Sequence, residues 1–534
     1  MRRAAWLLTL AVLGSSATAC TTNDGEQTKA AGPMGGTLRV AITEPGALDP
    51  ADAYEPAGLL VDSLLCEPLL TIDPQTGRLR PGLATTWIVS DGGRRITLRL
   101  RKARFSNGQR VTSDDVIASL SRAATEEFAG HAANLLEPIA GWEWTSGRKE
   151  TENDRDRRVI RGLSAIDGSS LTIVLSKPNA DFLRVLAQPV AAPVPRRLTE
   201  RDPDALAAQP VCAGPYKLAR PWHPGDPSIT LVRNEHYHGR NPAFTNGGRG
   251  YADVVEFAVG APADKVDIAA VPFADWPAVA EADRAERLSG YIDYVGVPLA
   301  DPDLRLALSL ALDRQSISPA RRPGRGFLPP AAGPAGREDG CGDRAPARAD
   351  LARARAVAQD KLTSATPLVL AFNDELGNRS IMESVARQWH DAFGLDVQLQ
   401  PTPFDALVRQ AADPAGIKTA FRMGWQPPVP GPEAYVGPLF TSAGIGTDNL
   451  ARFADPAVDR RLDREARNAA DEKDRDLAYR SVEQMLCQAM PLIPVAAGVS
   501  RWAVRAGTAG STTLDRARGW PVLRELYVRQ GGNS

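Results

Sequence analysis

His236 and His238 stand two residues apart, and on a strand both rings would face one side, where neutral imidazoles could hold a metal ion. A polar turn is the plainer reading of the same pair. Asp114 and Asp115 are adjacent carboxylates of the kind that acid–base chemistry uses. Helix capping explains them equally well, because residues 112–115 put side-chain oxygens and negative charge ahead of the apolar-periodic Val116, Ile117 and Leu120. No G-x-S-x-G elbow, phosphate-binding loop or G-x-G-x-x-G turn occurs, so the signatures of the common hydrolases, kinases and dehydrogenases are missing. Beside Cys20 the chain has Cys66, Cys212, Cys341 and Cys487, none spaced as C-x-x-C, which disfavours a zinc ribbon or a redox motif.

The elements around these residues are legible in outline. Ile96, Leu98 and Leu100 alternate with Thr97, Arg99 and Arg101, the period of a half-buried strand. Asp91-Gly92-Gly93 before it supplies the positive-φ positions of a hairpin turn, and Asn107-Gly108 is a second turn signal. Residues 36–41 and 170–175 read as strands, 59–70, 301–317, 455–466 and 471–489 as helices, and 181–186 as the start of one. Residues 367–372, 380–393 and 395–400 read as strand, helix and strand in a crossover unit, 419–425 as another strand, and 427–432 as a rigid loop. The charged run 143–158 is a solvated insertion.

With 534 residues the chain exceeds a single hydrophobic core, and two or three subdomains are expected. A formal net charge of −1, with acidic and basic residues interspersed, leaves no nucleic-acid footprint. The N-terminus pairs Arg2-Arg3 with an apolar run over residues 6–13 that is too short to span a bilayer, then gives Ala17-Thr18-Ala19-Cys20. This resembles a bacterial lipobox with Cys20 as the lipidated mature N-terminus; an ordinary secretory signal is the alternative. Residues 21–35 are polar and read as a flexible tether. An even number of further cysteines outside the cytoplasm favours disulfides.

Between residues 80 and 123, Gly82-Leu83-Ala84, Trp87, Leu98-Arg99, Phe105, Asn107-Gly108, Asp115-Val116 and Ser119 fall at the offsets of a family pattern. The segment resembles the peptide/nickel class of extracytoplasmic solute-binding proteins, family 5, the receptors of ATP-driven importers. Cys212-Ala213-Gly214-Pro215-Tyr216-Lys217-Leu218, then Arg233-Asn234, Tyr237 and Gly239, continue the likeness. So do Arg305, Ala307-Leu308 and Ala311-Leu312-Asp313-Arg314, and Tyr479, Glu483, Leu486, Pro491, Ile493 and Pro494.

The resemblance implies an α/β, periplasmic-binding-protein-like fold of cluster C, type II, with two lobes, a hinge and an extra subdomain. Lobe I would take 36–290 and 495–534, with the subdomain at about 66–180, and lobe II 291–494. Cys66–Cys212 and Cys341–Cys487 are the expected pairs, each closing a long loop within one lobe, although spacing leaves the connectivity open. Ligand-lining residues are expected after the opening strand (Glu44, Gly46), at Asn373, and along Gly424, Trp425, Gln426, Glu433 and Tyr435. Where related peptide receptors carry an amine-binding Asp three residues after the Trp, this chain has Pro428, so Glu433 or Glu44 would have to receive a ligand ammonium. The implied activity is capture of di- to oligopeptides by a monomeric, membrane-anchored, extracytoplasmic receptor without catalysis or cofactor, with delivery to ABC permease subunits. A haem or metal-chelate carrier on the same fold, a secreted hydrolase and a membrane-docking sensor are the competing readings.

Overall fold

The computed structural model describes residues 35–528 apart from 126–127, 129–133, 151–152, 154, 156–157, 202, 360, 363–367, 376, 414 and 511–513. Strand Ala84–Ser90 turns through Asp91, Gly92 and Gly93, all at positive φ, into strand Arg95–Leu100. Thr112 and Asp115 then close a reciprocal box at the start of helix Ser113–Ala123, with Asp115 N donating to Thr112 Oγ1 at 3.3 Å and Thr112 N to Asp115 Oδ2 at 2.9 Å. Asp115 thus serves a helix end. The two strands join Ser170–Val174 and Leu163–Asp167 in a four-stranded antiparallel sheet whose core buries Ile96, Leu98, Phe105, Leu120 and Phe182.

A second, eleven-stranded mixed sheet carries the rest of the architecture. Its two long strands, Arg284–Gly296 and Ile493–Val504, pair antiparallel, and each has one end in each of two separate cores. At one end Ala285, Trp502 and Val504 pack with Leu38, Val40, Leu60 and Phe257. At the other, Ile292, Tyr294, Ile493 and Val495 pack with Phe327, Trp389 and Tyr435. On the first side the sheet continues through Ile268–Ala270, Thr37–Ile42, Val254–Val259, Ser228–Arg233 and Tyr216–Leu218; on the second, through Ala420–Trp425, Leu368–Phe372 and Val397–Pro401. Leu368–Phe372 and Val397–Pro401 are parallel, with helix Asn378–Phe393 between them in the chain, the crossover arrangement that the sequence predicts.

Several elements depart from the sequence reading for physical reasons. The helix expected over 59–70 runs Pro56–Leu65: Glu55 caps it, and Cys66 leaves the helical conformation to bond Cys212. The helix expected over 301–317 stops at Leu310. Past it, Ala311 N still bonds Ala307 O at 3.1 Å and Leu312 N tightens onto Ser309 O at 3.3 Å. But Arg314 Nη1 also donates to Ser309 O at 2.9 Å and Asp313 N turns to Gln388 Oε1 at 2.6 Å, which ends the helical pattern. Residues Ala180–Ala187 form a 3-10 helix. Past the rigid loop expected over 427–432, Pro432–Phe440 is a helix that the sequence reading did not assign, so Glu433 occupies a first turn and Tyr435 faces the core. His236 lies in a turn after strand Ser228–Arg233 and His238 in irregular chain beyond it, so the one-faced strand that a metal pair needed is absent there. Both expected disulfides are formed, Cys66–Cys212 and Cys341–Cys487. Among the described residues no helix is long and apolar enough to cross a membrane. Cys20, the leader and nearly all of the tether lie outside the described residues.

Glu483 is buried in the core around Phe327, and its Oε1 accepts from Phe327 N at 2.9 Å and Leu328 N at 2.8 Å. Burial outweighs these two amides and pushes its carboxyl up to about 7 from the ordinary 4.5. The folded chain therefore holds this proton more tightly than the unfolded chain. The stabilisation is complete below the unfolded value near 4.5 and is lost as the pH rises through about 7, a change of roughly 3 kcal/mol. Glu483→Gln keeps one carbonyl oxygen for both amides and removes the titration. Urea unfolding of parent and variant at pH 5 and pH 8 should give a stability difference that moves by about that amount toward the variant at the higher pH. An unchanged difference would reject the assignment.

Candidate functional site

Between Leu288, which faces Val499, and Ile292, which faces Ala497, the long strands slip register, so Ser289, Gly290 and Tyr291 stand against the single Gly498. A Cβ at 498 would meet Ser289 Oγ and lie 3.0 Å from Tyr291 Cβ, so any larger residue needs these neighbours to shift. The bulge is held from outside: Tyr435 donates its hydroxyl to Gly290 O at 2.7 Å.

Beyond the bulge lies a buried polar cluster. Tyr291 donates its hydroxyl to Asp293 Oδ1 at 3.1 Å, and the Arg422 guanidinium contacts both, its Nε reaching Asp293 Oδ1 at 3.1 Å. Arg422 Nη1 donates to Asn373 Oδ1 at 2.7 Å, and Asn378 supports Asn373 by donating to its backbone oxygen at 3.1 Å. Asp293 is fully buried and Arg422 almost so, which makes this an ion pair shielded from water. Gly424 faces Asp293 on the neighbouring strand, where any Cβ would meet the Tyr291 hydroxyl. Burial, reinforced by Asp293, pushes the Tyr291 phenol up to about 12, so it remains a neutral donor. The Arg321 guanidinium lies 5.0 Å from the centre of the Tyr291 ring, with Nε 3.9 Å from Asp293 Oδ2.

Of the residues that the sequence singled out, Asn373 and Gly424 meet in this cluster. Trp425 and Glu433 meet elsewhere, lining a cavity of about 560 Å³ with Pro428 and, from the opposite wall, Asp181 and Phe182. Trp425 donates Nε1 to Ala434 O at 3.0 Å, and Gln426 is exposed. Glu433 is already engaged: Arg467 Nε reaches it at 3.1 Å and the Tyr479 hydroxyl at 2.8 Å. Tyr435 spends its hydroxyl on Gly290 and is buried. After the opening strand, Glu44 accepts from Gly225 N at 2.6 Å and Gly46 N donates to Glu55 at 3.1 Å. Neighbouring Thr43 lines a different cavity, of about 650 Å³, with Arg501, Trp502 and Trp520. Both carboxylates expected to receive an ammonium therefore already have partners.

Sequence reasoning passed over Tyr291, Asp293, Arg321 and Arg422. Two of them carry a usable signal: Arg422 interrupts the apolar run Phe421 to Met423, and Asp293 sits between Ile292 and Tyr294. A charge inside a buried strand must have a partner on an adjacent one.

A third cavity, of about 790 Å³, adjoins the bulge and is lined by Glu286, Arg287, Leu288 and Val499 of the long strands together with Arg322, Arg325 and Arg516.

Comparison with known proteins places this geometry in context. The family model for bacterial extracellular solute-binding proteins, family 5 Middle, matches residues 78–447. Over 484 residues the chain is 24% identical to the probable ABC transporter periplasmic-binding protein SapA of Escherichia coli K12, covering 84% of this chain and 85% of that protein. It is 25% identical to the periplasmic oligopeptide-binding protein OppA of Salmonella typhimurium LT2 over 569 aligned positions, covering 98% and 97%. Among solved structures, the periplasmic murein tripeptide binding protein MppA in its unliganded open form matches with a TM-score of 0.76 at 22% identity, over 92% of this chain and 97% of that one.

Proposed function

The chain belongs to the bacterial extracellular solute-binding proteins of family 5, and from that premise we propose that it is the substrate-binding lipoprotein of an ABC importer, capturing short peptides between two lobes and delivering them to a permease. The observation that carries the reading is the pair of long strands whose ends lie in different cores and whose register slips at Ser289 to Tyr291. Two strands with a bulge are a compact hinge: a few backbone torsions there swing one core against the other without unfolding either. On this reading lobe I comprises 36–290 and 495–534 and lobe II 291–494. A second contact, with Ala180 N donating to Arg467 O at 2.9 Å and Arg184 Nη2 standing 3.8 Å from Glu472 Oε1, limits the swing.

Peptide is the favoured cargo because relatives spanning nearly the whole chain are named for it. An extended peptide can be held by main-chain hydrogen bonds while pockets accept side chains, and closure excludes water without altering a bond. Glu44, Gly46, Gly424, Trp425 and Gln426 would face that cargo, and Asn373 would act through Arg422. The ligand ammonium would be received by a main-chain oxygen of the 427–431 loop rather than by Glu433 or by Asp181, which is already ion-paired to Arg184 at 3.2 Å. Anchoring through Cys20 rests on the leader alone.

The test is thermal denaturation of the mature chain with tri- to pentapeptide mixtures, together with mass spectrometry of what co-purifies. A peptide at a hundred times its dissociation constant should add about 2.7 kcal/mol of stability. Retention of a Soret band with no peptide-induced shift would transfer the assignment to haem, and cleavage of the added peptides would make the chain a hydrolase.

A further inference from the structure

The cavity of about 790 Å³ beside the bulge has more positive charge than its own acids can balance. Glu286 is neutralised, since it accepts from Arg501 Nε at 3.1 Å and also contacts Arg322. Arg337, Glu338 and Asp339 also line the cavity, but all three are exposed and screened by water. That leaves Arg287, Arg325 and Arg516. Arg287 donates Nη1 to Leu514 O at 3.0 Å. Arg325 donates to Ala345 O at 3.0 Å and Gly342 O at 3.1 Å, and Arg516 to Pro330 O at 3.0 Å and Gly336 O at 3.3 Å. Every acceptor is a neutral main-chain carbonyl, and among the described residues none of the three has a carboxylate at ion-pair distance. The backbone aims these guanidinium groups and leaves them without a contacting carboxylate, Asp515 acting on Arg287 and Glu338 on Arg516 only from beyond ion-pair distance.

The crowding has an electrostatic cost. Burial, and then the nearby charge of Arg287, lower the Arg516 guanidinium from its ordinary value. An anion entering between them would remove that repulsion and find donors already oriented, the arrangement in which arginine–carboxylate bonds are strongest.

We propose that this cavity sets the charge class of the cargo: it takes carboxylates, so the peptides that the chain selects are acidic ones whose side chains or C-terminus reach Arg287, Arg325 and Arg516. The inference rests on the reading of the chain as a peptide receptor. A small free dicarboxylate presents the same chemistry, and the experiment separates the two sources.

Calorimetric titration of the mature chain with triglutamate, trialanine, trilysine and glutarate is the test. Triglutamate should bind roughly tenfold or more tightly than trialanine, with trilysine weakest, and the preference should shrink as salt is raised. Arg287→Gln, which gives up a single carbonyl bond, should bring the triglutamate-to-trialanine ratio toward one, and Arg287→Lys should restore part of it. Arg516→Gln provides the second reading wherever its melting curve stays cooperative. Equal affinity for the three peptides would overturn charge selection while leaving peptide capture intact. Glutarate binding that Arg287→Gln weakens, with no peptide bound, would uphold the anion cavity and remove the peptide reading. Absence of binding by all four would overturn both.

Discussion

Replacing Cys341 and Cys487 together by alanine should lower stability by about 4–5 kcal/mol, and so should the Cys66/Cys212 pair, because each bridge spans a sequence separation of 146 residues. In the chain-entropy account the loss comes from the unfolded state, which gains the freedom of a long open loop. The native neighbourhood supports this apportioning. Arg344 Nε donates to Cys487 O at 2.8 Å and Gly214 N to Leu65 O at 2.9 Å, bonds in which the sulfurs take no part, so the folded geometry has independent ties. Cys66 and Cys212 belong to the core around Leu38 and Phe257, whereas Cys341 and Cys487 belong to the core around Phe327 and Trp389. Scanning calorimetry should therefore show each double substitution lowering a different part of the unfolding profile. A loss below about 1 kcal/mol in either variant would contradict the loop-entropy origin.

How far the chain's pattern alone reveals this molecule depends on the range of the forces involved. Turn, strand and cap chemistry is local, and the passage from Ala84 to Ala123 forms as its residues dictate, down to the Thr112–Asp115 box. The disulfide partners were also anticipated. Helix ends were misjudged where a distant group intervened: Arg314 and Gln388 terminate one helix by taking its backbone groups, and the bond to Cys212 draws Cys66 out of another. Helix Pro432–Phe440 was hidden by its prolines, although one of them sits at the first turn, where its missing N–H costs nothing. The polar cluster was illegible for a stronger reason. Tyr291, Asp293, Asn373 and Arg422 come from three strands or their ends, and only the pairing of Ala420–Trp425 with Arg284–Gly296 on one side and Leu368–Phe372 on the other brings them together. The pattern singled out Asn373 and Gly424 and passed over the charges between them.

That cluster carries the other large effect. Arg422→Met should cost roughly 3–5 kcal/mol, because it leaves Asp293, with no exposed surface, facing only the Tyr291 hydroxyl and an Arg321 guanidinium 3.9 Å away. The penalty is the stranded carboxylate, not the absent attraction, so removing both charges should recover most of it. The double variant Arg422→Met/Asp293→Leu should lie within about 1–2 kcal/mol of the parent, and a double-mutant cycle by chemical denaturation gives the coupling directly. An Arg422→Met variant within about 1 kcal/mol of the parent would show that Arg321 closes on Asp293 and replaces the lost partner. The double variant also separates stability from binding. Its restored core has no guanidinium to hold Asn373 and Tyr291 beside Gly424, so peptide affinity should fall although the fold survives. If the double variant folds but does not bind, the ion pair serves to fix the geometry of the chain beside the bulge rather than to hold the fold.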